Sequence, residues 1–269
     1  MVIEHFGLAM LPFGQRPDTR VFHKLLQHQL AYSSILKAIE SPSAKVALSA
    51  PEGAGKTLFL RVLRSSFAHM TGASSPLFVG DTEMSSDALV DDLLAQVKSS
   101  VTSAASYQTK LDSITQQLHA VSRRTVILVD NLDRLPAELL AVIARVMERE
   151  SDSERQVSLI YSKRNVNLNL SAHDTFFAPT ATISLHYFDE QSTGKYLDFR
   201  LRKAGYSGTG LFSAEAATLL FNNTGGNPRS INTLANQALY VTADSGDHQV
   251  RAKHIERAIR KYDSESPIW

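Results

Sequence analysis

Apolar positions along the chain follow two rhythms, and the switch between them divides it. Over the first two thirds, short continuous apolar runs alternate with stretches whose apolar residues recur every three to four positions. The runs Lys45-Val-Ala-Leu-Ser-Ala50, Leu77-Phe-Val79, Thr125-Val-Ile-Leu-Val-Asp130, Val157 to Ser162 and Ala181 to Leu185 predict strands. The third is almost wholly apolar until its terminal carboxylate, as expected for a parallel strand covered on both faces. Between the runs, Leu58, Leu60, Val62 and Leu63 predict one helix, and Leu89, Val90, Leu93, Leu94 and Val97 a second. Leu111, Ile114 and Leu118 predict a third, and Leu139, Leu140, Ile143, Val146 and Met147 a fourth, with Pro136 suited to its first turn. Strands alternating with helices imply a doubly wound α/β parallel sheet with right-handed crossovers.

After about His186 the strand rhythm stops. Four helical patterns follow, near 190–204, 213–224, 228–243 and 251–262, punctuated by Gly205, Gly208, Gly210, Gly225, Gly226 and Gly246 where helices should end. The expected organisation is an α/β domain over 1–187 and a small all-helical domain over 188–269. Ser99 to Ser106 is small and polar enough to be a loop between helices.

Composition removes possibilities more than it adds them. At 269 residues with 43% hydrophobic and 20% charged, the chain can bury one substantial core and a small second one. A formal net charge of +1 neither demands nor excludes a polyanionic partner. Cysteine is absent, so disulfides, thiolate metal sites and cysteine nucleophiles are excluded. The amino terminus lacks a basic region followed by an apolar core, and no apolar run approaches the roughly 20 residues that cross a bilayer. A cytoplasmic location is expected, with any membrane association made through a partner.

The chemistry begins between the first strand and the helix after it. Ala50-Pro51-Glu52-Gly53-Ala54-Gly55-Lys56-Thr57 matches the phosphate-loop pattern G-x-x-x-x-G-K-[ST] except at its first glycine. Gly53 and Gly55 let backbone N–H groups curl around phosphate oxygens, and the amino end of the following helix adds its dipole. Lys56 is placed to reach the β and γ phosphates, and the Thr57 hydroxyl to complete a Mg²⁺ shell. Candidate nucleotide-binding residues are therefore Pro51, Glu52, Gly53, Ala54, Gly55, Lys56, Thr57 and Leu58, with ATP and Mg²⁺ as ligands. Ala50 is tolerable if its φ is negative, since only a left-handed conformation requires glycine. Asp130, ending an apolar strand, is the expected second holder of Mg²⁺ beside Thr57.

Three segments together resemble the secretin-associated AAA+ ATPases of the GspA/ExeA type, and most closely their short stand-alone relatives from mannose-sensitive pilus loci. The first is His5-Phe-Gly-Leu8 with Leu11-Pro-Phe-Gly14 and Arg16-Pro-Asp-Thr-Arg20. The second is the phosphate loop with its acidic strand. The third combines Tyr196-Leu-Asp-Phe-Arg-Leu-Arg202 with Gly225-Gly-Asn-Pro-Arg-Ser-Ile-Asn232. The resemblance implies that the helical domain is a lid, that Arg229 at the start of a lid helix contacts the γ phosphate, and that Ser162 is the polar sensor at a strand end. Pro12 and Phe13 then either line the adenine pocket or staple the sheet edge.

The resemblance also exposes a departure. Most AAA+ proteins follow the strand-end aspartate with a glutamate that polarises the attacking water, and this chain has Asn131. An amide cannot take a proton, so general-base help worth about 10²–10⁴-fold is lost unless another group substitutes. Asp133 is the one nearby carboxylate: it can reach inward if the turn allows, but its position two residues on predicts that it faces solvent or caps the next helix. Lys163 and Arg164 are expected to form a solvated basic turn or, in an oligomer, a contact reaching a neighbouring site. The candidate catalytic set is Lys56, Asp130, Asn131, Ser162 and Arg229.

The leading expectation is an oligomeric ATP-driven accessory protein for pilus or type II secretion assembly. The alternatives are a DNA-bound regulator of the TniB/TnsC transposition type and an ATP-binding scaffold with little hydrolysis. Net charge near zero, and no dense Lys/Arg stripe beyond the carboxyl-terminal Arg251, Lys253, Arg257, Arg260 and Lys261, argue against DNA, and the amino-terminal box favours the envelope reading.

Overall fold

In the computed structural model, residues 2–41, 43–69, 76–80, 83–120, 125–147, 157–164 and 175–265 are described. The five apolar runs form one parallel sheet: β1 (Lys45–Ala50), β2 (Leu77–Val79), β3 (Thr125–Val129), β4 (Val157–Arg164) and β5 (Ala181–Ser184), in the order β2-β3-β4-β1-β5. Its helices are α2 (Leu26–Ala38), α3 (Lys56–Ala68), α4 (Ser86–Gln96), α5 (Tyr107–Ala120) and α6 (Ala137–Met147).

Alternation along the strands assigns their two faces. Ala47, Val79, Ile127, Val129, Leu159 and Tyr161 pack into one core with Leu89, Leu93, Ile114, Leu139 and Ile143 of α4–α6. The intervening Val46, Leu48, Leu128 and Ile160 are equally buried, α2 packs on β5 and α3 on β4, and Ile35, Leu60 and Leu63 of those two helices are fully covered. Covering both faces is what continuous apolar strands require. β4 runs two residues further than expected, so Lys163 and Arg164 lie in the strand and not in a basic turn.

The helical unit contains α7 (Glu190–Lys203), α8 (Ala214–Thr224), α9 (Pro228–Asp244) and α10 (Ala252–Glu265), together with the short α1 (Val2–His5). Its helix ends are written in the sequence. Asp189, Ser213 and Asn227 cap α7, α8 and α9 with side-chain acceptors, and Pro228 opens α9 where a missing N–H costs nothing. Gly226, at φ 76°, is required twice over, because a Cβ there would strike the Phe188 carbonyl.

Contacts divide the chain into two compact units, Leu26–Glu52 with Lys56–Leu185, and Met1–Leu25 with Gly53–Gly55 and His186–Trp269. The amino-terminal box, expected with the sheet domain, therefore packs with the helices. Val2, Phe6, Leu8 and Phe13 join Leu197, Leu201, Ile231, Ala235, Leu239 and Ile255 in one core. Ala9 donates its N–H to the Ala204 carbonyl at 2.7 Å, closing the box onto the end of α7. Among the described residues no helix is long and apolar enough to cross a membrane.

Candidate functional site

Parallel strands end at one edge of the sheet, and the order of strands decides which ends are neighbours. β4 lies between β1 and β3, so its carboxyl end separates the loop after β1 from the acidic end of β3. Ser162 of β4 uses that position. Its hydroxyl donates to Asp130 Oδ1 at 2.5 Å and accepts the Asn131 N–H at 2.8 Å. The other Asp130 oxygen accepts from the Thr57 hydroxyl at 2.5 Å. Thr57, Asp130 and Ser162 are thus joined in one chain of hydrogen bonds, with Asp130 buried.

Lys56 is buried at the first turn of α3, and its ammonium donates to the Ala50 carbonyl at 2.8 Å and the Pro51 carbonyl at 3.0 Å. Burial lowers its pKa, partly offset by the charges of Asp133, Asp130 and Glu52. Backbone carbonyls are weaker partners for a buried ammonium than an anion is, so Lys56 is poised to exchange them for phosphate. Gly53 and Gly55 take φ 79° and 92°, the left-handed conformations that the loop pattern reserves for glycine. A Cβ on Gly53 would also collide with the Asn227 side chain. Ala50 ends β1 in register with Arg164 and is not among the positive-φ residues, so the missing first glycine removes nothing the backbone needs.

Asn131 adopts φ 49° and ψ 49°, and its side chain makes no capping bond. Asparagine is among the few residues that take this left-handed conformation readily. The turn that follows, Leu132–Arg134, overturns the expectation for Asp133. Its side chain is 0% exposed, and Oδ2 accepts from Arg164 Nε at 2.7 Å. Arg164, which is 40% exposed at its side chain, is therefore an ion-pair partner and not a freely solvated charge, and that pairing raises its pKa. Asp133 Oδ1 is buried with no hydrogen-bond partner. Nearby at the surface, Arg134 lies 3.6 Å from Glu52.

Arg229 is exposed in the first turn of α9, and its N–H is capped by the Asn227 side chain at 3.0 Å. Phe13 is 0% exposed and is a core residue of the helical unit. Arg200 is a residue that the sequence reading passed over. It is buried and donates to the Pro12 carbonyl at 2.7 Å, the Gly14 carbonyl at 3.3 Å and the Tyr196 hydroxyl at 2.5 Å. Tyr196 in turn donates to Asn232 Oδ1 at 2.8 Å. The signal was present as a tyrosine and an arginine four apart on the inward face of a helix.

Residues 41–167 match the family model described as an AAA domain, and the parallel sheet with a helical unit is an AAA+-type fold. The fold extends the likeness over the helical unit. The ORC1 protein of Aeropyrum pernix, solved in complex with DNA, matches with TM-score 0.68 and 17% identity over 94% of this chain and 69% of that one. Cdc6p from Pyrobaculum aerophilum matches with TM-score 0.70 and 14% identity over 93% and 70%. The Thermotoga maritima RuvB Holliday junction branch migration motor matches with TM-score 0.61 and 12% identity over 90% and 72%. In sequence, the chain is 25% identical over 261 residues to general secretion pathway protein A of Aeromonas hydrophila, covering 93% of this chain. It spans about half the length of that curated relative, 46%. These matches support the AAA+ reading and a weak link to the secretion type, without singling out the stand-alone pilus relatives.

Proposed function

We propose that the chain binds ATP with Mg²⁺ at the carboxyl edge of its sheet and uses the nucleotide to govern the helical unit and self-association. The observation that carries this reading is the Thr57–Asp130 hydrogen bond at 2.5 Å beside the buried Lys56. A hydroxyl and a carboxylate brought together are the hard oxygen donors that Mg²⁺ takes alongside phosphate oxygens. Thr57 and Asp130 would hold the ion, which when bound supplies positive charge across the β and γ phosphate oxygens. Gly53, Ala54 and Gly55 cradle phosphate through their N–H groups, with Pro51, Glu52 and Leu58 flanking them, while Lys56 supplies the charge. Ser162 fixes Asp130, and Arg229 serves as the lid arginine that reads the γ phosphate.

Two settings compete for the partner. The likeness of fold to DNA-associated proteins supports nucleic acid ahead of envelope machinery, and α10 with the residue before it offers a surface for it, with Arg251, Lys253, Arg257, Arg260 and Lys261 exposed. The second reading, a secretion or pilus accessory ATPase, is supported by the identity to general secretion pathway protein A across both units. Anisotropy of labelled duplex DNA with ATP present separates them. The first reading expects binding that falls about 10²–10³-fold between roughly 50 and 200 mM salt. No binding at the lower salt rejects it and leaves the secretion setting.

A further inference from the structure

We propose that Asp133 is the catalytic carboxylate of this site, accepting the proton of the attacking water in place of the glutamate that position 131 lacks. Arg164 is its positioning residue. The inference rests on the ATP-binding reading above and goes beyond it.

The backbone explains how a residue two positions late can substitute. Asn131 in the left-handed region reverses the chain immediately after β3, and Leu132, 7% exposed, anchors the short turn in the core. The turn packs against β4 and carries Asp133 to the end of that strand, where Arg164 stands in register with Ala50 at the root of the phosphate loop.

The two oxygens of Asp133 are unequal. Oδ2 is fixed by Arg164, whereas Oδ1 is buried and lacks a partner. Leaving a buried acceptor unfilled is unfavourable, more so when it is charged. A donor that arrives with substrate removes that cost, and a water held for in-line attack is such a donor. In the step, Asp133 Oδ1 takes a proton from the water as the water oxygen bonds to the γ phosphorus. The bond from that phosphorus to the β–γ bridging oxygen breaks, ADP leaves with the electron pair, and Asp133 later returns its proton to solvent.

Asp133→Asn keeps the size of the side chain and an oxygen for Arg164 while removing the base. The expected result is ATP turnover lower by about 10²–10⁴-fold, affinity for a fluorescent ATP analogue within about twofold, and an undiminished melting temperature of the nucleotide-free protein. Arg164→Met, which leaves the carboxylate in place but unanchored, is expected to lower turnover about tenfold with affinity kept. Wild-type turnover in either variant overturns the assignment of that residue, and so does a loss accounted for by a lowered melting temperature. A wild-type chain that binds ATP without cleaving it overturns the inference and leaves ATP binding standing. A chain that binds no ATP overturns both.

Discussion

Two buried cations, Arg200 in one compact unit and Lys56 in the other, are held in opposite ways. Arg200 in the helical unit is surrounded by finished partners: two backbone carbonyls, a tyrosine hydroxyl, and the Phe13 and Tyr196 rings at 5.9 and 5.5 Å from its guanidinium. Lys56 in the α/β unit rests on two carbonyls, within the field of an aspartate whose second oxygen has no partner. One cation closes a structure, and the other waits for a ligand. Buried charge by itself does not distinguish a staple from a binding site; the state of its partners does.

The comparison can be broken by removing each cation while keeping its bulk. Arg200→Met strands the Pro12 and Gly14 carbonyls and releases the amino-terminal box, and should cost about 3 kcal/mol in denaturant unfolding. Gly226→Ala tests the packing of the same unit at a point free of charge. The clash with the Phe188 carbonyl at φ 76° should cost about 2 kcal/mol by the same measurement. Lys56→Met also strands the Ala50 and Pro51 carbonyls, but it removes a desolvated ammonium that lacks an anionic partner, so stability should change by less than about 0.5 kcal/mol or rise. A loss of stability at Lys56 as large as at Arg200 would erase the distinction.

Much of this was legible from local pattern. Apolar runs fix the five strands because a two-faced sheet needs them, and Asn227-Pro228 and Gly225-Gly226 mark helix ends through the backbone angles those residues permit. The phosphate loop and Asp130 were legible because their chemistry depends on short spacing. What escaped depends on contacts far apart in the chain or on one dihedral angle. Phe13 and Pro12 meet α7 across some 190 positions, with nothing local to announce it. Asp133 was expected at the surface because two residues past a strand end normally leads outward; the left-handed turn at Asn131 reverses that direction. Asn131 itself is a departure in chemistry and a fit in geometry, since the backbone there favours asparagine over the expected glutamate.

The central claim is that the sheet edge is built for ATP with Mg²⁺, and titration of a fluorescent ATP analogue tests it directly. The account predicts saturable binding that strengthens with Mg²⁺ and weakens at least about 100-fold in Lys56→Met, as expected when charge-assisted bonds to two phosphates are lost. Equal affinity in wild type and Lys56→Met, or no binding by the wild type, would contradict it.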